Sequence, residues 1–449
     1  MAAAGPALTT RAGDRKRNWP TARLGDLFRV KHGFAFKGDF FENTGDELVL
    51  TPGNFKIGGG LQIRQGKERY YSGAYPPEFV LQPGDLLIAL TDLTQGAPIL
   101  GIPIVIPSDG RFLHNQRLGK IVDLDESRLD RTYAYFLFVW DGVRAKLRAT
   151  ATGATVRHTA PSRIQDVEVA LPPLPTQQKV AAILSAYDDL VDNTNRRIKL
   201  LEEVAKRIYR EWFVNFRYPG HETARLVGSE LGPIPQGWNV VTLDEVATIN
   251  KGLSYKGEFL TGEGLPMANL KCFLPGGGFR RDGTKPYSGE MKPKHRVMPG
   301  DVIVANTDLT QAGAVIGSPA IIPRRGFERG GLISHHLFVI RPLDQRLAPA
   351  YLFHLFADQL FRGFARGRAS GTTVLGFRAV DCGEYRFVLP PAELLDRFAQ
   401  VADATVALGE DLHDAIEVAA ASRDLLLPRL VSGEIDVAEL DIAVPDLAA

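Results

Sequence analysis

A chain of 449 residues has room for two or three ordinary domains. Its 45% hydrophobic and 23% charged residues exclude a disordered polyelectrolyte or a fibrous repeat. The net charge of +1 hides an asymmetry: residues 393–449 hold 13 acidic and 3 basic residues, leaving 50 basic against 39 acidic over positions 1–392. The larger part therefore carries the sign expected for phosphate contact. No run of ~18 apolar residues occurs and the first residues lack the apolar stretch of a secretory signal, which predicts a cytoplasmic protein without a membrane segment. Two cysteines, Cys272 and Cys382, provide neither a disulfide framework nor a four-thiolate zinc site.

Along the chain, an internal repeat sets the organisation. Trp19–Gly38 aligns without gaps on Trp238–Gly257, sharing Trp19/Trp238, Leu24/Leu243, Gly33/Gly252, Lys37/Lys256 and Gly38/Gly257. Pro83–Gln95 (PGDLLIALTDLTQ) matches Pro299–Gln311 (PGDVIVANTDLTQ) at 9 of 13 positions, and Thr152–Val156 echoes Ser370–Val374. Both halves then reach Leu-Pro-Pro, at Leu171 and at Leu389. One unit of about half the chain is duplicated, which is not the pattern of a solenoid.

In each unit a Pro-Gly-Asp turn precedes a short apolar run, LLIAL or VIVAN, expected to be a buried strand. Further strands are expected at 102–106 and 120–124, and at 320–322 and 337–341. One amphipathic helix per unit is expected, over 132–148 and 350–365, giving a mixed α+β domain. After each Leu-Pro-Pro the apolar period lengthens. Val180, Leu184, Tyr187, Val191, Thr194, Ile198, Leu201, Ala205, Ile208 and Trp212 follow a 4-3 alternation. Leu395, Phe398, Ala402, Thr405, Leu412, Ala415, Ala419, Ser422 and Leu426 nearly do, with Leu408 or Gly409 filling the gap. Two long helices are predicted, the first with Pro175 in its opening turn and the second stopped by Pro428. Two stripes of equal length after homologous units predict an antiparallel coiled coil with pseudo-twofold symmetry.

The search for catalytic chemistry returns nothing that qualifies. There is no Asn-Pro-Pro-Tyr loop of an adenine methyltransferase and no Walker sequence, and the glycines at 58–60 and 276–278 lack a strand-to-helix context. A nuclease cluster assembled from Asp282, Glu290 and Lys292 is not repeated in the other half, and His335-His336 has no carboxylate or thiol at ligand spacing. The expectation is a chain with no catalytic residues and no metal site. Two rival readings remain, a stand-alone metal-dependent nuclease and a coiled-coil adaptor without DNA binding.

The stretch LPPLPTQQKVAAILSAYDDLVDNTNRRIKLLEEVAKRIYREWFVNFRYPG, with Gln177-Gln178, Asp188-Asp189, Glu211-Trp212-Phe213 and Phe216-Arg217, resembles the central conserved region of type I restriction-modification specificity subunits. The segment SRDLLLPRLVSGEI at 422–435 is similar to the distal conserved region of the same family, although Leu395-Asp396 stands where Glu-Gln is usual. The resemblance implies target recognition domains at 1–172 and 238–391, a central conserved helix at 173–217, a linker at 218–237, a distal helix at 392–432 and an acidic tail at 433–449. It also implies a non-enzymatic subunit that reads a bipartite site in double-stranded DNA, one half-site per domain, and docks two methyltransferase (M) subunits and restriction/translocase (R) subunits. S-adenosylmethionine would then belong to M, and ATP and magnesium to R, with no cofactor on this chain. The acidic end would be free to meet protein.

Residues identical in both units cannot distinguish two half-sites, so the Pro-Gly-Asp turns and most of Thr-Asp-Leu-Thr-Gln are expected to be scaffold or phosphate-positioning groups. These include Thr94, Gln95, Thr310 and Gln311, with Lys37 and Lys256 as the foremost phosphate contacts. Base readout is expected where the units diverge, at Lys56 and Arg64 against Lys271, Arg280 and Arg281, and at Arg157 and His158 against Arg366, Arg368 and Arg378.

Overall fold

The computed structural model describes residues 19–64, 66–309, 313–372 and 374–444. Two compact units partition the chain, one ending at Val191 and resuming at Val418, the other spanning Asp192–Glu417. Each consists of a mixed domain and a stretch of both long helices.

The first domain is built on an antiparallel sheet in the order Arg29–His32, Leu118–Val122, Leu86–Ala89, Pro103–Val105. The second repeats it as Ala247–Lys251, Leu337–Pro342, Val302–Ala305, Pro319–Ile321. The apolar runs LLIAL and VIVAN form the inner strands because both sheet faces are covered. Leu86, Ile88 and Leu90 point into a core with the helices, while Leu87 and Ala89 point into a core with a second sheet. Val302 and Val304 separate from Ile303 and Ala305 in the same way.

The second sheets share three strands and differ at the edge. The first runs Phe41–Glu42, Tyr70–Tyr71, Glu47–Leu50, Arg111–His114, and the other Lys285–Tyr287, Leu265–Ala268, Gly331–Ile333, Arg296–Val297. The expected strands are therefore present with ends shifted by one or two residues.

Several repeated residues are explained by backbone geometry. Gly84 and Gly300 turn with φ +82° and +89°, a region open to glycine, and the following aspartates accept the Gln82 and Met298 N–H groups at 2.8 Å. Asp85 also pairs with Lys120 at 2.6 Å and Asp301 with Arg341 at 2.7 Å, so the Pro-Gly-Asp turn is scaffold. A Cβ on Gly33 or Gly252 would lie 2.3 Å from the carbonyl oxygen of Asn115 or Ser334, which accounts for glycine at both places.

The single helix expected in each domain is two. Arg131–Val139 and Asp141–Ala149 are separated by extended Trp140, and Pro349–Ala357 and Gln359–Arg368 by extended Asp358, whose carboxylate accepts the Leu360 N–H. Leu137, Val143 and Leu147 all enter one core, so the apolar period continues through the break and conceals it.

The central helix runs Leu174–Tyr209 and closes in a π-turn at Arg210–Val214; the distal helix runs Ala392–Val431. In the first unit Val180 and Leu184 share a core with Leu427 and Leu430; in the second Tyr209 and Phe213 share one with Leu395, Phe398 and Ala402. Low numbers on one helix meet high numbers on the other, so the pairing is antiparallel. Every predicted seam position of the central helix is buried or half-buried. On the distal helix Gly409 takes the gap while Leu408 is exposed, as is Ala415. Gly409 helps to line a cavity of about 270 Å³ with Ile198, Ala205, Gly277, Phe353 and His413.

Two sequence expectations are overturned. Pro428 does not stop the distal helix; it sits in the last turns, where a missing N–H costs one hydrogen bond, and the chain leaves the helix at Gly433 with φ +77°. The acidic end is not free through residue 444. Val437 is buried in the first unit's core, and Lys179 donates to the carbonyls of Ala438 and Leu440 at 2.7 and 2.9 Å. The stretch 218–237 also carries a hairpin, Leu226–Ser229 with Gly232–Pro235.

One core position differs between repeats with a pH consequence. His354, at the place of Phe136, is buried between the Tyr209 and Phe398 rings, and desolvation, with Lys206 adding, lowers its pKa to about 4. The unfolded chain holds this proton below about pH 6.5 and the folded chain does not, so stability falls as pH drops from about 6.5 towards about 4, by on the order of 3 kcal/mol in full. His354→Phe should remove most of this acid sensitivity. The check is the difference in unfolding midpoint between pH 7.5 and pH 5, which should shrink in the variant.

Candidate nucleic-acid interface

Both repeated motifs meet at one end of each main sheet. In the first domain Thr91–Asp92 pairs antiparallel with Arg157–His158, in register Thr91 with His158 and Asp92 with Arg157. In the second, Thr307–Asp308 pairs with Leu375–Gly376 in the same register. The Thr91–Gln95 loop thus lies beside the Thr152–Val156 loop, and Thr307–Asp308 beside the strand that follows Val374.

Buried polar groups hold these loops. The Asp92 carboxylate accepts the Thr94 N–H and hydroxyl at 2.8 Å and the Ile99 N–H at 2.7 Å. Asp308 accepts the Val315 N–H at 2.6 Å and the Ile316 N–H at 3.3 Å. Behind each loop a buried guanidinium donates to a backbone carbonyl at its far end, Arg144 to Pro98 at 2.9 Å and Arg362 to Ala314 at 2.8 Å. Burial pulls the pKa of Arg362 down to about 10, still cationic at neutral pH. The repeated aspartate is therefore scaffold, a loop cap.

Around this scaffold the two domains place different side chains at matching positions. The residue before the shared glycine is His32 in one and Lys251 in the other. Phe34 bridges Asn115 as Leu253 bridges Ser334, so Gln116 and Arg117 correspond to His335 and His336. His32 stacks on His158 at 6.4 Å, and His158 Nδ1 lies 3.0 Å from the Thr91 hydroxyl. His335 and His336 rings lie 3.8 Å apart, and Asn306 ties their backbone to the loop. Desolvation lowers the pKa of His158, His335 and His336, with His32 adding for the first, Lys251 for the second, and His335 then Lys251 for the third, which favours neutral imidazoles able to donate and accept.

Of the residues expected from sequence, this end gathers Thr94, Gln95, Arg157 and His158 in the first domain. In the second, a Cβ on Gly313 would lie 3.6 Å from Arg366 Cγ, which puts Arg366 beside the loop. Arg368 and Arg378 are engaged with Glu384 and Asp381, both at 2.7 Å. Thr310 and Gln311 lie outside the described residues. Lys37 and Lys256 are exposed on the turn that follows the shared glycine, Lys256 lying 3.7 Å from Glu258.

The other group does not join them. Lys56 and Arg64 are exposed on a loop pinned by Asn54 and Gln62, whose amides bond backbone carbonyls at 3.0–3.3 Å. Lys271 and Arg280 are exposed on the corresponding loop, Arg280 paired with Asp282 at 2.9 Å. Arg281 is held by Asp414 and by Glu417 at 3.1 Å, both on the distal helix, beside Arg325 at 3.4 Å from Glu417. Its guanidinium braces the domain on that helix.

Sequence reasoning did not single out His32, Gln116, Arg117 and Lys251, and it weighed His335-His336 only as metal ligands. The signal was available in the repeat: divergent polar residues directly before a shared glycine, and on the segment that glycine touches.

Among the described residues no group of three or more His, Cys, Asp or Glu is placed to hold a metal ion. Both thiols are buried, which pushes Cys272 up to about 11 and Cys382 up to about 12, so neither is a nucleophile at neutral pH. Among the described residues no helix is long and apolar enough to cross a membrane.

Residues 16–203 match the family model described as type I restriction modification DNA specificity domain. The chain is 25% identical over 447 residues, 96% of each chain, to the type I restriction enzyme MjaIX specificity subunit of Methanocaldococcus jannaschii. The chain is thus similar to type I restriction-modification specificity subunits, over residues 16–203 by the family model and over nearly its whole length by that relative. The MjaVIII specificity subunit of the same organism is 23% identical over 77% of this chain and 76% of its own. In fold, the chain resembles the crystal structure of the type I restriction-modification S subunit from M. genitalium, with a TM-score of 0.56, 14% identity, and coverage of 95% of this chain and 98% of that one.

Proposed function

We propose that this chain gives a type I restriction-modification complex its DNA target, each domain reading one half-site with the sheet end that carries His32, Gln116, Arg117 and His158, or Lys251, His335, His336 and Arg366. What carries the reading is the combination at that end of a shared, rigid loop scaffold with different side chains at matching positions. A common docking geometry with interchangeable hydrogen-bonding groups is what two different half-sites require.

Each unit also presents an apolar patch on its helix pair. In an antiparallel pair, positions one residue before the seam on either helix lie on the same flank. Leu200, Val204, Val401 and Leu408 do so in the second unit, and Leu190, Val418 and Leu425 in the first, all exposed. These patches suit helices of methyltransferase subunits, one per unit, with restriction subunits joining the assembly. S-adenosylmethionine on the methyltransferase, and ATP and magnesium on the restriction subunit, complete the chemistry in the cytoplasm.

The purified chain should neither methylate nor cut DNA with S-adenosylmethionine, ATP and magnesium supplied, and should direct adenine methylation to one bipartite sequence once its methyltransferase is added. Methylome sequencing of a host expressing the pair reads this directly. Methylation or cleavage by the chain alone would defeat the proposal.

A further inference from the structure

The loop that the two domains share ends in an apolar side chain that neither scaffold nor phosphate contact explains. Leu93 is 59% exposed and Leu309, its counterpart, 64%. Val156 and Val374, which directly precede the strands paired with Thr91–Asp92 and Thr307–Asp308, are 45% and 41% exposed. Each domain therefore holds a leucine and a valine in solvent at the same place, although water penalises them there.

Asp92 and Arg144 brace the first loop at both ends, and Ala97 adopts φ +47°; beside Leu309, Asp308 accepts the Val315 N–H, and Arg362 donates to the Ala314 carbonyl. The neighbours are basic or hydrogen-bonding: His32, Arg157 and His158 in one domain, Lys251, His336 and Arg366 in the other.

We infer that Leu93 and Leu309 are wedges that enter the base stack of bound DNA, one at each half-site. The inference rests on the reading above, that this sheet end faces DNA. Three observations carry it. The residue is the same in both domains, so its role is independent of half-site sequence, as insertion between bases is. It is apolar, which suits the base stack and not the phosphates. It follows a buried, hydrogen-bonded aspartate in both domains and stands among cationic and imidazole groups, a setting complementary to a polyanion, and a leucine so placed can offset the cost of parting one base step.

The test uses the full complex of this chain with its methyltransferase subunits and duplexes carrying the mapped target, with 2-aminopurine placed at successive steps of each half-site. Any fluorescence from a base flipped by the methyltransferase serves as an internal reference common to all variants. The unmodified complex should show, beyond that reference, a several-fold rise at one step per half-site. Leu93→Ala should return the first half-site to the level of free duplex and leave the second unchanged, Leu309→Ala the reverse, and Leu93→Met should retain the rise. Both leucines are exposed, so the unfolding midpoint should not move.

Binding of the duplex by the unmodified complex with no responding step would overturn the wedge, as would a rise that survives Leu93→Ala. Loss of methyltransferase co-purification in Leu93→Ala would make the pair a protein contact and also overturn it. Absence of salt-dependent duplex binding by the complex would instead defeat the DNA-reading proposal itself.

Discussion

Replacing residues 1–172 by the matching segment of a relative with a different target changes one half of the methylated sequence completely and leaves the other half as it was. The first domain holds one core of its own between the sheets, and a second, beneath the main sheet, that it shares with the long helices. Its junction with the central helix is made largely in the backbone. Gln177, buried, accepts the Asp130 N–H at 2.9 Å and donates to the carbonyls of Arg128 and Pro172 at 2.8 Å. None of these three bonds uses a side chain of the exchanged segment, so a different domain can be seated by the same glutamine. Leu427, Val431 and Val437 pack against the same core and tolerate apolar substitutions of conserved volume. Methylome sequencing with the exchanged subunit checks the outcome. If both halves changed, the domains would not read independently.

Inserting four residues into the central helix near Asn193 lengthens the unspecified gap between half-sites by one or two base pairs and alters neither half. Four residues add roughly 6 Å of helix, close to two base-pair steps of about 3.4 Å. They also add about 400° of rotation, near a full turn, so the seam of Thr194, Ile198 and Ala205 is nearly kept, whereas two residues turn it by about 200°. The distal helix has no matching insertion, so the variant should be less stable. A two-residue insertion should abolish methylation, because it carries the charged Lys199, Glu203 and Lys206 towards the partner helix and turns the seam outward. Mapped methylation sites in cells carrying each variant decide the matter; an active four-residue variant with the original gap would end the idea that the helices set the spacing.

Much of this molecule is legible in its sequence because the chain states it twice. The repeat of Trp19–Gly38 at Trp238–Gly257, the two Pro-Gly-Asp turns and the 4-3 alternation from Val180 to Trp212 are local patterns. Local patterns determine strands, turns and helix seams through backbone sterics and the burial of one face. The paired domains, the antiparallel helices and the resemblance to specificity subunits follow from them.

Tertiary structure decided what such patterns cannot encode. The helix breaks at Trp140 and Asp358 were hidden because both halves bury the same core, so the apolar period never lapses. Pro428 stayed helical because only one hydrogen bond was at stake so near the end. Arg281 was an equal candidate with Arg366 in sequence, and only the fold set it against Asp414 and Glu417. His32, Gln116 and His158 lie up to 126 positions apart in the chain. They became neighbours because strands distant in sequence close one sheet end, and contacts of that separation leave no periodic trace along the chain.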